Sequence, residues 1–157
     1  MIVYTEYDVE IPSFPRRITK NWIKQIAANY NKRIGDIAYI FCSDKIILNL
    51  NIQYLNHNYT TDILTFDYSD QNRLSGDLFI SVDTVSANAK QFHTDYETEL
   101  YRVMIHGILH LCGMEDKTSK QRQQMRKCEN EALEKFFYYK KYTELCKKNI
   151  CDSNMML

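Results

Sequence analysis

Glycine and proline are scarce in this chain, with four Gly and two Pro among 157 residues. So few breakers exclude a low-complexity linker, and each one that is present marks a turn or an end. Net charge is also missing, because 20 Lys and Arg face 20 Asp and Glu. A chain without an overall field is not a wholesale polyanion binder. No apolar run approaches the ~20 residues of a membrane span. The longest stretches, such as Val103–Leu111, are broken by His and Gly. Residues Met1–Glu6 carry no basic segment ahead of an apolar one, so no secretory signal is expected. The five Cys are an odd count without paired short spacing, which favours reduced thiols over a disulfide framework. What remains, 45% hydrophobic and 25% charged residues, is the composition of one globular domain. A chain of about 150 residues hides roughly two-thirds of its extended surface without staples. The expectation is a cytoplasmic, single domain over residues 1–145, with no membrane contact and a frayed tail at 146–157.

No internal repeat is visible. Ile2–Ile11 reads as a strand closed by Pro12 and Pro15, followed by a helix from about Thr19 to Asn31 with Trp22, Ile23, Ile26, Ala27 and Tyr30 at helical spacing. Ile37–Cys42 reads as a short buried strand, and Ser43 as the cap of a second helix. Thr61–Tyr68 and Gly76–Val82 read as the two strands of a hairpin across the polar run Ser69–Leu74. Three more helices are expected: Thr84–Phe92, Glu97–Cys112 stopped by Gly113, and Ser119–Tyr142. Strands early and helices late give an α+β fold, a small mixed β-sheet packed against several helices.

Charge is uneven along the chain. Lys117 to Lys148 holds ten basic and four acidic residues, and Asp62 to Glu99 holds eight acidic and two basic. Two solvated faces account for this pattern; a basic flank that steers a phosphate-bearing ligand accounts for it too.

The chemistry concentrates at His106-Gly-Ile-Leu-His110-Leu-Cys-Gly113-Met-Glu-Asp116. Histidines at i and i+4 share one helical face and can reach one metal ion. Gly113 ends the helix and turns the chain, which returns Asp116 over that face. Three ligands with a fourth position open is the pattern of a catalytic zinc site, whereas a structural site closes with four. Two semi-buried helix histidines are the alternative. Glu115 competes with Asp116 as third ligand, and spacing does not separate them. A protease of this general spacing carries Glu directly after the first His as its base; here that position is Gly107, which disfavours peptide hydrolysis. Cys112 lies off the His face and reads as a packed thiol.

The string resembles the H-G-x-L-H-L-x-G-x-D-H signature of the YbeY endoribonuclease family. Leu50-Asn51-x-x-Tyr54 with Thr61-Asp-Ile-Leu-Thr-Phe66, Gly76-Asp-Leu-Phe-Ile80, and Met125 with Glu129 are similar to further blocks of that family, in the same order. The resemblance implies a zincin-like metal-site helix and one Zn²⁺ held by His106, His110 and Asp116. It also implies cleavage of single-stranded rRNA precursors in ribosome biogenesis, by metal-activated water or a metal-polarised phosphate, with the small ribosomal subunit as a partner. Asp62 and Asp77 would then shape the cleft. Two positions depart from the family: Asp116 replaces a third His, and Leu55 replaces a basic residue. His57 and Arg73 are the candidates to stand in for the latter. Other readings are a ribosome-associated assembly factor with a structural metal, and a different metallohydrolase such as a peptidase or esterase.

Overall fold

The computed structural model describes residues 1–56 and 61–155. Strand β1 (Ile2–Tyr7) ends well before Ile11, because Asp8 adopts a left-handed backbone with φ 58°. Helix α1 (Arg16–Asn29) starts one turn earlier than expected, directly after Pro15, whose fixed φ suits a helix entry. Strand β2 (Arg33–Cys42) is also longer than its apolar run. Ser43 does stand at the N-cap of α2 (Asp44–Leu50), but its hydroxyl donates to Asp8 Oδ2 at 2.7 Å and makes no capping bond. The chain then widens into a single π-helical stretch, Asn51–Leu55, that stops at left-handed Asn56.

Strands β3 (Ile63–Asp67) and β4 (Arg73–Ser81) form the expected antiparallel hairpin. Helix α3 (Val82–Gln91) follows, capped by the Ser81 hydroxyl, which accepts from the Thr84 amide. Helix α4 (Tyr96–Leu111) is capped by Asp95, whose carboxylate accepts from the Thr98 amide at 2.7 Å. Helix α5 (Ser119–Met155) runs past the expected Tyr142 end without a break. No helix among the described residues is long and apolar enough to cross a membrane. Cys42, Cys112, Cys128 and Cys146 are free thiols, and Cys112 packs at the edge of the core.

The sheet has the order β1-β2-β4-β3, with β1, β2 and β4 parallel and β3 antiparallel at the edge. It is a mixed sheet in an α+β fold, as the order of elements predicts. Side chains alternate across it. Ile37, Tyr39 and Phe41 of β2 join Leu74, Leu78 and Ile80 of β4 in the large core with α1, α4 and α5. The opposite face holds a smaller cluster in which Leu64, Cys42 and Ile47 of α2 meet. Two long-range hydrogen bonds orient the helices: Tyr39 donates to the Met104 carbonyl at 3.0 Å, and the Trp22 indole donates to the Ala132 carbonyl at 2.8 Å.

Helix α4 lies directly on the hairpin. A Cβ at Gly107 would sit 2.7 Å from Leu78 Cδ2 and 2.8 Å from Ile63 Cδ1. Glycine is therefore what lets this helix reach the sheet.

Candidate metal centre

One side of α4 carries, at helical spacing, Glu99, Arg102, His106 and His110, and the two histidines line a cleft with β3. Its C-terminal end is a Schellman motif. The Gly113 amide donates to the His110 carbonyl at 2.9 Å and the Met114 amide to the Leu109 carbonyl at 3.1 Å. Gly113 holds φ 96°, a conformation that costs an L side chain strain. That reversal brings the chain back over the two histidines and delivers Asp116 to them.

His106 and His110 stand with ring centroids 4.4 Å apart and planes at 83°. Asp116 Oδ2 lies 3.3 Å from His106 Nε2 and 3.4 Å from His110 Nε2. Charge-assisted hydrogen bonds are shorter, about 2.7–2.9 Å. Two ligands held about 2.0–2.1 Å from one ion at the tetrahedral angle sit about 3.3 Å apart. The spacing is therefore that of co-ligands, and one ligand atom from each residue lies within 4.8 Å of the others.

The remaining ring nitrogens are already committed. His106 Nδ1 is 2.9 Å from Glu129 Oε2, and His110 Nδ1 is 2.9 Å from the Met114 carbonyl. The Met114 carbonyl and an ionised Glu129 can only accept, so each Nδ1 donates, and in the neutral ring the lone pair is then on Nε2, the atom nearest Asp116. Metal-binding imidazoles are oriented in this way. The donor set, two neutral imidazoles and a carboxylate, suits a divalent ion of the zinc type.

Glu129 is buried on α5, and Arg102 and Arg126 lie 3.4 and 3.6 Å from its Oε1. Burial pulls the His106 pKa down, but the hydrogen bond and charge of Glu129, with Asp62 and Asp116 added, outweigh it and leave the pKa raised. Desolvation pushes the Asp62 carboxyl up, partly opposed by His106.

Two clefts meet at the cluster and share Asp62, His106 and Asp116 in their walls. One, of about 330 Å³, runs toward α3 and α5 past Arg102, Arg122 and Arg126. The other, of about 720 Å³, runs along β3 past Leu55, Thr65 and Lys117.

The expected residues separate clearly. His106, His110 and Asp116 converge, and Asp62 lines both clefts, as the resemblance implies. Glu115 does not join them; it is exposed and accepts from Gln121 Nε2 at 3.3 Å. Asp77 corrects the expectation that it shapes the cleft. It alternates with the core-facing Gly76 and Leu78, so it lies on the other face of the sheet, where Tyr68 donates to it at 3.2 Å. Arg73 has the same parity, sits 4.0 Å from Asp36 and lines neither cleft. His57 lies outside the described residues.

The sequence reading did not single out Arg102, Arg122 and Arg126. The signal was present for Arg102, which falls four residues before His106 on the same face. Nothing in the sequence marked the α5 arginines apart from their neighbouring lysines.

The chain matches the family model described as Endoribonuclease YbeY over residues 4–137. It is 58% identical over 132 residues to the endoribonuclease YbeY of Bacteroides fragilis, covering 84% of this chain and 95% of that protein. The Parabacteroides distasonis protein of the same name is 54% identical over 132 residues, covering 84% and 93%. A solution structure of a Thermotoga maritima protein superposes with a TM-score of 0.62 at 26% identity, over 91% of this chain and 93% of that one. The motif blocks, the mixed sheet with its histidine-bearing helix and these matches agree, and the chain belongs to the YbeY endoribonuclease family.

Proposed function

We propose that this protein is a zinc-dependent endoribonuclease that cuts single-stranded regions of rRNA precursors in the cytoplasm and acts in rRNA maturation, with the small ribosomal subunit as a partner. The endoribonuclease activity rests on family membership. The metal dependence rests on one observation: Nε2 of His106, Nε2 of His110 and Oδ2 of Asp116 converge while both Nδ1 atoms are engaged elsewhere. These three residues would hold the ion. When bound, a zinc ion supplies Lewis-acid chemistry, offsetting charge on phosphate oxygens and lowering the pKa of water.

The chain's own residues prepare the site. Glu129 accepts the Nδ1 proton of His106 and fixes its tautomer, and the Met114 carbonyl does the same for His110. Arg102 and Arg126 neutralise Glu129, so its charge does not repel an incoming phosphate. Asp116 in place of a third imidazole adds a negative charge, which makes the ion a milder Lewis acid. Gly107 offers no general base for peptide hydrolysis, and no side chain fits there against Leu78 and Ile63 without moving them.

The assembly-factor reading, with a structural metal, predicts a closed site. The side chains of His106, His110 and Asp116 are 20, 27 and 37% exposed, and no fourth protein ligand joins them among the described residues, which favours the open, catalytic arrangement. The test uses protein stripped of metal and assayed on unstructured RNA. Cleavage is expected to appear with Zn²⁺ and to be absent in His106→Ala. Cleavage undiminished by a chelator overturns the metal mechanism, and RNA binding without metal-dependent turnover supports the assembly factor.

A further inference from the structure

The two clefts differ in their cationic side chains. The one along β3 has Lys117 as its only Lys or Arg among the described lining residues, whereas the one toward α5 has three guanidinium groups. Arg102 is engaged: its side chain is 18% exposed, and it contacts Glu99, Glu129 and Asn130. Arg122 and Arg126 are different, because both are exposed. Arg122 donates from Nη1 to the Lys117 carbonyl at 2.8 Å, and Arg126 Nη1 lies 3.6 Å from Glu129 Oε1. A guanidinium has five N–H donors, so each keeps several for a ligand.

Phe92, at the end of α3, lines the same cleft and is 54% exposed. The Arg126 guanidinium sits 5.9 Å from the centre of its ring. An exposed ring beside planar cations is the pairing by which single-stranded nucleic acids are held, with a base on the ring and the backbone on the cations. Four carboxylates share this wall, Asp62, Glu99, Asp116 and Glu129. Glu99 pairs with Arg102, Glu129 with Arg102 and Arg126, and Asp116 and Asp62 act on His106, which leaves the Arg122 guanidinium and the outward N–H groups of Arg126 for a ligand.

Resting on the endoribonuclease reading above, we propose that Arg122, Arg126 and Phe92 form a subsite for the nucleotide next to the bond that is cut. The two guanidinium groups take its phosphate and the ring takes its base. Bound RNA therefore crosses the cluster with one neighbour of the scissile phosphate on the α5 side. A merely basic α5 makes a different prediction, since Lys120 and Lys127 lie on another face of that helix, away from the cleft.

The test measures binding of a short, unstructured, fluorescently labelled RNA to metal-free protein across a salt series. Arg122→Ala with Arg126→Ala is expected to lower the slope of log K against log salt by about 0.7, the value for one phosphate on a single strand. Phe92→Ala is expected to weaken binding about tenfold with the slope intact. Lys120→Ala with Lys127→Ala removes the same charge and is expected to leave both unchanged. Thermal unfolding establishes that each variant is folded; should the Arg126 change unfold the chain, Arg122→Ala alone carries the test, with a smaller fall of the slope in the same direction. Equal losses in the arginine and lysine pairs, or an unchanged slope in the arginine pair, overturn the subsite while leaving the endoribonuclease reading intact. Wild-type protein that neither binds nor cuts RNA overturns that reading, and the subsite with it.

Discussion

At the scale of single residues, Asp116 and Glu115 are adjacent carboxylates with opposite fates. The Schellman turn at Gly113 brings Asp116 over the imidazoles and leaves Glu115 in solvent beside Gln121. Asp116→Ala is expected to abolish tight zinc binding, and Glu115→Ala to leave it unchanged, as read by competition with a chromophoric chelator. Glu129 acts one step further out. Glu129→Gln keeps the shape of the side chain but removes the charge that holds the His106 proton and pairs with two arginines. Loss of such an outer partner typically costs about 10–100-fold in metal affinity, and the same titration reads it.

At the scale of the element, α4 depends on its two ends and on its contact with the sheet. Asp95 caps the start, and hydrogen bonds from Thr98 hold its carboxyl below the usual range. A carboxyl lowered on folding stabilises the folded state above its unfolded pKa and loses that effect as pH falls through the folded one. Asp95→Ala is therefore expected to cost about 1 kcal/mol at neutral pH, and the gap from wild type to close in acid. Urea unfolding at several pH values reads both. In the middle of the helix, Gly107→Ala places a methyl within 2.8 Å of Leu78 and Ile63. Overpacking of this kind costs about 1–3 kcal/mol, seen as a lower denaturation midpoint. The shift would also move His106, so zinc affinity is expected to fall with it.

At the scale of the whole molecule, the cluster of His106, His110 and Asp116 joins the end of α4 to the loop before α5, while Glu129 ties α5 to His106. An ion bound there belongs to the folded chain alone, so binding adds to stability by mass action. Zinc at 100 times its Kd is expected to add about 2.7 kcal/mol, and hence to raise Tm by about 5–10 °C for a chain of this size. Scanning calorimetry with and without chelator reads the shift, and His106→Ala is expected to remove it. A metal-independent Tm would contradict the assignment of these ligands.

Local pattern carried a large part of this protein. The i, i+4 histidines, the glycine stop and the carboxylates two and three residues beyond it were legible as a candidate site, because helical spacing and a left-handed turn are properties of short segments. The α+β order and the β3–β4 hairpin were legible for the same reason. Strand and helix limits were less so, since β2 and β4 gain residues from pairing with each other, and β1 ends at a backbone reversal tied to Ser43. The resemblance already favoured Asp116, but only the tertiary structure brought it and not Glu115 over the imidazoles, sent Asp77 and Arg73 to the far face of the sheet, and brought Glu129, Arg122 and Arg126 from α5 to the wall that holds His106. Those outcomes depend on which faces meet when α4 settles on the hairpin and α5 folds back across it. Such a meeting joins residues far apart in the chain, and no periodicity within a single segment encodes it.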